Sequence, residues 1–409
     1  MDQVSEIVAR QYSEYVYPEP ILDMVKAIEE GYSQYGAPNL YAPLMWPEGR
    51  SLDGMKVLVA GCGTHQAAYF ALTLPNATVT AIDLSLPSLQ HGQFLKEKHG
   101  LGNLTLRQLN ILEVGTLADQ GPFDFIVCSG VLHHMADPDA GLRALASVLA
   151  PDGVMALMVY NRYARLGVYM LQDAWRRLGL QQNAEDIELI KTVTPRLPAR
   201  HAVHAYVRSA TDLGNDSGLV DTFLHPQDRA YTVPEVLAFA RDNGLHFWDW
   251  NDRLDFSLSA VVAPNHPLHA RMAKLPDEER WAVTELLLGG GGPHRFYLCH
   301  PGREMFKPNV ATDADWSGFV PLVRYPGLEI VKEEGKPGRL KRRWHEFTLG
   351  ADGIALINAI DNVRTITQIL EEARTKVPGI TEETARGFFA TLQDWGHLLY
   401  ATPNRKAQG

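Results

Sequence analysis

Apolar and polar positions fall into three regimes along the chain. Between Met55 and Asn161, short runs of Val, Ile, Leu and Ala alternate with longer mixed segments. KVLVAG (56–61), ATVTAID (77–83), LTLRQLNI (104–111), FDFIVCSG (123–130) and VMALMVYN (154–161) read as strands. THQAAYFALTL (64–74), PSLQHGQFLKEKHG (87–100) and DPDAGLRALASVLA (137–150) read as helices. Continuous aliphatic strands separated by helices predict a parallel sheet covered on both faces, with ligands at the carboxyl ends of the strands.

After Asn161 the alternation stops for about seventy residues. There YARLGVYMLQDAWRRLG (163–179) sets Tyr163, Leu166, Met170 and Leu171 on one side of a helix of roughly four turns. This insertion, about 162–230, is read either as a lid over the substrate or as a dimer contact, which leaves a homodimer open. Alternation resumes with VPEVLAFARDNG (helix), LHFWDW (strand), DEERWAVTELLL (helix), a GGGG turn and HRFYLCH (strand). The third regime, 303–409, reads as short strand, three helices, strand. Three parts follow: a Tyr/Pro-rich segment 1–50 packing on the core, an α/β doubly wound Rossmann-like domain 51–302, and a small α+β domain 303–409.

The 409 residues, 45% apolar and 21% charged, suit an ordinary globular protein with more than one core. A net charge of −10 works against a nucleic-acid surface, which needs a basic face. The exception, KPGRLKRR (336–343), reads as a solvated linker or as a contact for an acidic partner. Three separated cysteines give no disulfide framework or zinc spacing and suit a reducing compartment. With no run of about 18 apolar residues, no membrane association and a cytoplasmic location are expected.

The loop VLVAGCGTHQ (57–66) carries candidate chemistry. Gly61 and Gly63 allow two close backbone approaches, but Gln66 stands where GxGxxG needs its third glycine, and no Gly-Lys-Ser/Thr follows. A dinucleotide or triphosphate is therefore disfavoured. His65 reads as an exposed side chain near a helix N-terminus, or as a contact to cofactor or substrate.

Five motifs in order, AGCGT (60–64), AIDLS (81–85), QLNILE (108–113), FDFIVCSGVLHHMADP (123–138) and LAPDGVMAL (149–157), make the chain resemble the class I S-adenosylmethionine-dependent methyltransferases. The resemblance implies S-adenosylmethionine as cofactor, with Ala60, Gly61, Gly63 and Thr64 at its methionine and ribose portions. It further implies that Asp83 and Leu84 end the second strand at the ribose, Asp83 accepting both hydroxyls. Asn110 and Ile111 would frame the adenine, and Ser129, Gly130 and Val131 would line the pocket. Val59 stands where many relatives carry an acid, and Asn110 where the family often has Asp.

Methyl transfer requires alignment and a free lone pair on the acceptor. His133 and His134, after the fourth strand, are the candidate catalytic bases. His201-x-x-His204 lacks a third ligand nearby in sequence, so no metal is expected. ARQYSEYVYPEP (9–20) resembles a QYxxxPYP-like segment ahead of the core in some of these enzymes, and Tyr12 and Tyr17 are candidates to cover the site. Asp221 and His225, in LVDTFLHPQDRAYTVPEV (219–236), are the other acceptor-site candidates. LGADGIALINAIDNVRTITQILEEA (349–373) resembles a small winged-helix-like, peptide-binding module. Together the parts resemble the rickettsial type of protein-lysine methyltransferase. The expected reaction is methylation of a nucleophile, an amine among them, in a polypeptide. The alternatives are a small-molecule acceptor and a catalytically silent scaffold.

Overall fold

The structure is a computed structural model that describes residues 3–210, 212–263, 265–304, 306–324, 327–333 and 337–402. It divides into two compact units. The first comprises residues up to 35, 52–251 and 285–303; the second comprises 36–51, 252–284 and the residues from 304 on.

The first unit is built on one sheet: β1 (Lys56–Ala60), β2 (Thr78–Asp83), β3 (Leu104–Gln108), β4 (Phe123–Ser129), β5 (Leu149–Asn161), β6 (Ala230–Tyr231), β7 (His246–Trp250) and β8 (His294–Cys299). Their order is β3-β2-β1-β4-β5-β8-β7, with β6 added to β5. Val57 to Ala60 and Phe125 to Val127 are fully buried, as strands sandwiched between helices must be. The strand order reverses between β1 and β4, so a crevice opens at the carboxyl ends of those two strands.

The sheet is mixed rather than wholly parallel. β8 runs antiparallel to both β5 and β7, with Leu157 opposite Phe296 and Trp250 also opposite Phe296. The chain leaves β7 and re-enters through Gly289–Gly292 at the same end, so β8 must run back. The tetraglycine turn is thereby placed at the carboxyl end of β5, where sites form.

Between β5 and β6 lie the helices Leu166–Leu178, Ala184–Val193, Val203–Val207 and Asp216–Phe223. They share a small core of Val168, Leu171, Trp175, Ile187, Ile190, Val203, Leu219, Val220 and Phe223. The inward face of the first helix keeps Leu171 but otherwise differs from the sequence expectation. Leu166 and Met170 are more than half exposed, whereas Val168, Leu171 and Trp175 point inward. Gly167 dictates this register: a Cβ there would lie 2.0 Å from the Val203 nitrogen, so only this face admits the neighbouring helix.

In the second unit, β9 (Val320–Val323) pairs with β13 (Leu398–Ala401), and β10 (Glu329–Val331), β11 (Arg339–Arg342) and β12 (His345–Thr348) form an antiparallel sheet. The helices Ala351–Asn358, Ile366–Lys376 and Glu382–Asp394 cover a core that includes Trp316, Phe319, Leu356, Ile369 and Phe389. Residues 36–51 belong to this unit, where the Pro47 carbonyl accepts from the Thr402 nitrogen at 2.7 Å.

The basic run is not a solvated linker. Lys336 lies outside the described residues, but Arg339–Arg342 form β11, and Arg342 is buried in a bidentate pair with Asp252 (2.8 and 3.0 Å). Arg343 bonds Asp252 and Asp255, and Arg339 bonds Glu333 and Glu346. Acids distant in sequence hold Arg342 and Arg343, and nearby glutamates hold Arg339.

Candidate functional site

The glycine loop after β1 is held open by conformation and crowding. Gly61 and Gly63 adopt φ of +71° and +53°, the left-handed region that glycine enters at no steric cost. A Cβ at Gly61 would sit 2.3 Å from Val131 Cγ2, and one at Gly63 would sit 2.9 Å from Pro18 Cδ. Asp83, at the end of β2, fixes the loop by accepting from the Gly63 nitrogen and the Ser85 nitrogen, both at 2.8 Å. Burial raises the Asp83 pKa, and these backbone donors partly offset the rise. Each oxygen accepts one backbone bond and retains lone-pair capacity for a diol.

Residues 17–34 cross this loop as a strap. The Thr64 hydroxyl donates to the Pro18 carbonyl at 2.9 Å, and Tyr32 OH meets His65 Nε2 at 2.6 Å. His65 is therefore buried rather than exposed and lines the cavity beside the loop, the place of the alternative contact reading, and burial pushes its pKa down to about 4. The cause is a tyrosine 33 residues upstream that folds over the helix start.

A cavity of about 1070 Å³ opens from the glycine loop. Of the expected cofactor residues, Gly61, Gly63, Asp83 and Leu84 line it, as do Asn110, Ile111, Ser129, Gly130 and Val131. Ala60 and Thr64 are fully buried behind the wall. Asn110 caps the turn after β3, its Oδ1 accepting from the Leu112 nitrogen at 2.9 Å. Val59, fully buried between Ala81 and Val127, presents no polar group.

The two catalytic candidates part company. His134 lines the cavity, whereas His133 does not and is fully buried, its ring 4.0 Å from that of Tyr160 and both ring nitrogens without partners among the described residues. Of the acceptor candidates, Tyr12, Tyr17 and Asp221 line the cavity. His225 stands behind them, stacked on His134 at 3.9 Å. Tyr12 OH donates to Asp221 Oδ1 at 2.7 Å and Tyr160 OH to Asp221 Oδ2 at 3.1 Å, while Tyr17 OH donates to Asp212 Oδ2 at 2.7 Å. Burial, reinforced by Asp221, raises the pKa of Tyr12, Tyr17 and Tyr160, so all three phenols remain donors.

Asp212, Tyr160, Tyr206 and the tetraglycine turn also line this space and were not found from the sequence. Tyr160 carried a usable signal, since it sits at the carboxyl end of β5. Asp212 carried none, because its partner Tyr17 lies 195 residues away. His201 and His204 do not form a site: His201 Nδ1 accepts from the Val203 nitrogen, and His204 Nε2 bonds the Leu197 carbonyl.

Burial of neutral imidazoles predicts an acid-sensitive fold. The pKa of His65, His133, His134 and His225 is lowered chiefly by desolvation, so the unfolded chain binds protons that the folded one refuses. Stability should fall as pH drops from about 6.5 toward 4. Melting midpoints across that range check this, and a midpoint that rises on acidification would contradict it.

Residues 51–192 match the family model described as a methyltransferase domain. An uncharacterized protein of Synechococcus sp. is 27% identical over 93% of this chain and 92% of its own length. A ubiquinone biosynthesis O-methyltransferase of Paracidovorax citrulli is 32% identical over 34% of this chain, and the match covers 57% of that enzyme. PKMT2 from Rickettsia typhi shares the fold at a TM-score of 0.66 with 17% identity, over 90% of this chain and 77% of that one, and it has also been solved with AdoHcy.

The chain thus carries a methyltransferase domain, over residues 51–192, on a Rossmann-like sheet. More narrowly, that domain is similar to the class I S-adenosylmethionine-dependent enzymes. Among the described residues no helix is long and apolar enough to cross a membrane.

Proposed function

We propose that the protein transfers the methyl group of S-adenosylmethionine to an amine nitrogen of a polypeptide. The observation that carries this is the charge of the cavity wall. Its charged lining consists of the carboxylates of Glu19, Asp83, Asp212 and Asp221 and the guanidiniums of Arg165 and Arg295. Arg165 is already matched by Asp228 at 2.6 Å, outside that lining. A site of this sign attracts a cation, and tyrosine rings beside the carboxylates offer further favourable faces.

In this reading Gly61, Gly63, Asp83, Leu84, Asn110, Ile111 and Ser129 to Val131 hold the cofactor, with Ala60 and Thr64 supporting the loop from behind. Tyr12, Tyr17 and Asp221 receive the acceptor, backed by His225, and His134 faces it. An amine bound there loses a proton, and its lone pair attacks the methyl carbon in line. The carbon–sulfur bond breaks with its electron pair on sulfur, leaving S-adenosylhomocysteine. A polypeptide acceptor is supported by the resemblance to rickettsial-type protein-lysine methyltransferases and by a fold likeness that spans 90% of the chain.

Incubation with tritiated-methyl S-adenosylmethionine and a size-fractionated bacterial extract tests the proposal. The label should enter the macromolecular fraction and emerge, after acid hydrolysis, on N-methylated amino acids. Label confined to small molecules, or on oxygen, would overturn it.

A further inference from the structure

Beside Asp221 lie two imidazoles whose protons are dictated by the backbone of one residue. Residue Gln227 presents its carbonyl to His134 Nδ1 at 2.9 Å and its N–H to His225 Nδ1 at 3.1 Å. A carbonyl only accepts, so His134 carries its proton on Nδ1 and leaves Nε2 as a lone pair. A backbone N–H only donates, so His225 Nδ1 is the lone pair and its proton sits on Nε2, which faces Tyr12 OH at 3.5 Å. The segment is secured to the turn after β4 by two more bonds, Gln227 Nε2 to the Met135 carbonyl at 3.0 Å and the Arg229 nitrogen to the His133 carbonyl at 3.0 Å.

A ring nitrogen of His134, one of His225 and an Asp221 oxygen all lie within 4.8 Å of one another, a spacing that would also suit a divalent cation. The tautomers argue against that use. A metal-bound histidine donates its other N–H, whereas His225 Nδ1 is bound to a donor and its Nε2 already holds the proton.

We infer that His134 Nε2 is the base that takes the acceptor's proton, with Asp221 as counter-charge to the imidazolium and Gln227 and His225 as positioning residues. This rests on the proposed amine acceptor. The proton passes from the ammonium nitrogen to Nε2, the freed nitrogen lone pair forms the new N–C bond, and the imidazolium releases its proton to solvent after the product leaves. His133 has no such role: it lies off the cavity, packed between Tyr160 and His134. The groups facing His134 are His133 on its own turn, Tyr160 from β5, Asp221 from the helix Asp216–Phe223, His225 and Asp228 from the loop that follows, and Arg165. Desolvation keeps the imidazole neutral, and Asp221, the Gln227 carbonyl and Asp228 favour the protonated form once it appears.

Three measurements decide the inference. Long-range proton–nitrogen NMR of histidine-labelled protein should show His134 as the Nδ1–H tautomer and His225 as the Nε2–H tautomer, unchanged by zinc chloride or manganese chloride; the opposite tautomers, or saturable shifts of both rings with either metal, would overturn it. His134→Gln should lower kcat by a hundredfold or more, as loss of a general base does, with S-adenosylmethionine affinity and melting midpoint near wild type and with activity partly restored as pH rises. Activity of His134→Gln within threefold of wild type would overturn the inference. Should His134→Gln prove unfolded, His225→Phe keeps the stack; it should retain cofactor affinity while shifting the pH–rate profile, and an unchanged profile would contradict the positioning role. Failure of the proposed function looks different: the wild-type protein itself would place no label on nitrogen.

Discussion

Asp221→Asn should abolish most methyl transfer while leaving S-adenosylmethionine binding intact. Tyr12 and Tyr160 donate to different oxygens of this carboxylate, at 2.7 and 3.1 Å. An amide has one acceptor oxygen, so one phenol must turn away or meet an N–H. The substitution also deletes the charge that offsets an ammonium before transfer and an imidazolium during it. Removing one preorganised electrostatic contact from an active site typically lowers kcat by about 10²–10³-fold, and a loss of that order is expected here. The unsatisfied phenol adds a stability cost of about 1–3 kcal/mol. Melting curves and calorimetry with the cofactor separate the two effects. A variant that binds S-adenosylmethionine normally and still transfers methyl groups at the wild-type rate would remove Asp221 from the acceptor site.

The half of the site nearest the cofactor was legible in the sequence because local chemistry writes it. Positive φ at Gly61 and Gly63 demands glycine, β1 and β2 read as aliphatic runs, and Asp83 falls at the end of the second run. Long-range packing wrote the rest. His65 could be judged exposed only while Tyr32 was out of view. The pair of adjacent histidines gives no clue that one faces the cavity and the other lies behind it; the irregular turn Leu132–His134 after β4 decides that. Asp212 acquires meaning solely through Tyr17, and Tyr160 through Asp221.

Outside the site the same division holds. Leu166, Met170 and Leu171 suggested the buried face of their helix, but the close approach permitted by Gly167 kept only Leu171 of the three inside and set Val168 and Trp175 beside it. β11, with the sequence RLKR, has no strand-like alternation of apolar residues and looked like a charged linker. Asp252, 90 residues upstream, supplies the bidentate partner that makes a buried Arg342 tolerable.

Asp83→Ala carries the second large effect and bears on the central claim, that the crevice between β1 and β4 holds S-adenosylmethionine over the glycine loop. The carboxylate bonds the Gly63 and Ser85 nitrogens and so both shapes the loop and faces the cavity. Its loss removes two hydrogen bonds to a diol and loosens the turn, each worth about 1 kcal/mol or more. Affinity should therefore fall more than tenfold. Isothermal titration calorimetry of the wild type and Asp83→Ala with S-adenosylmethionine, and of the wild type with NAD, is the most direct measurement. The expected result is one S-adenosylmethionine per chain, no heat from NAD, and affinity reduced more than tenfold in the variant. Equal affinity in the two proteins would contradict the assignment of this crevice as the cofactor site.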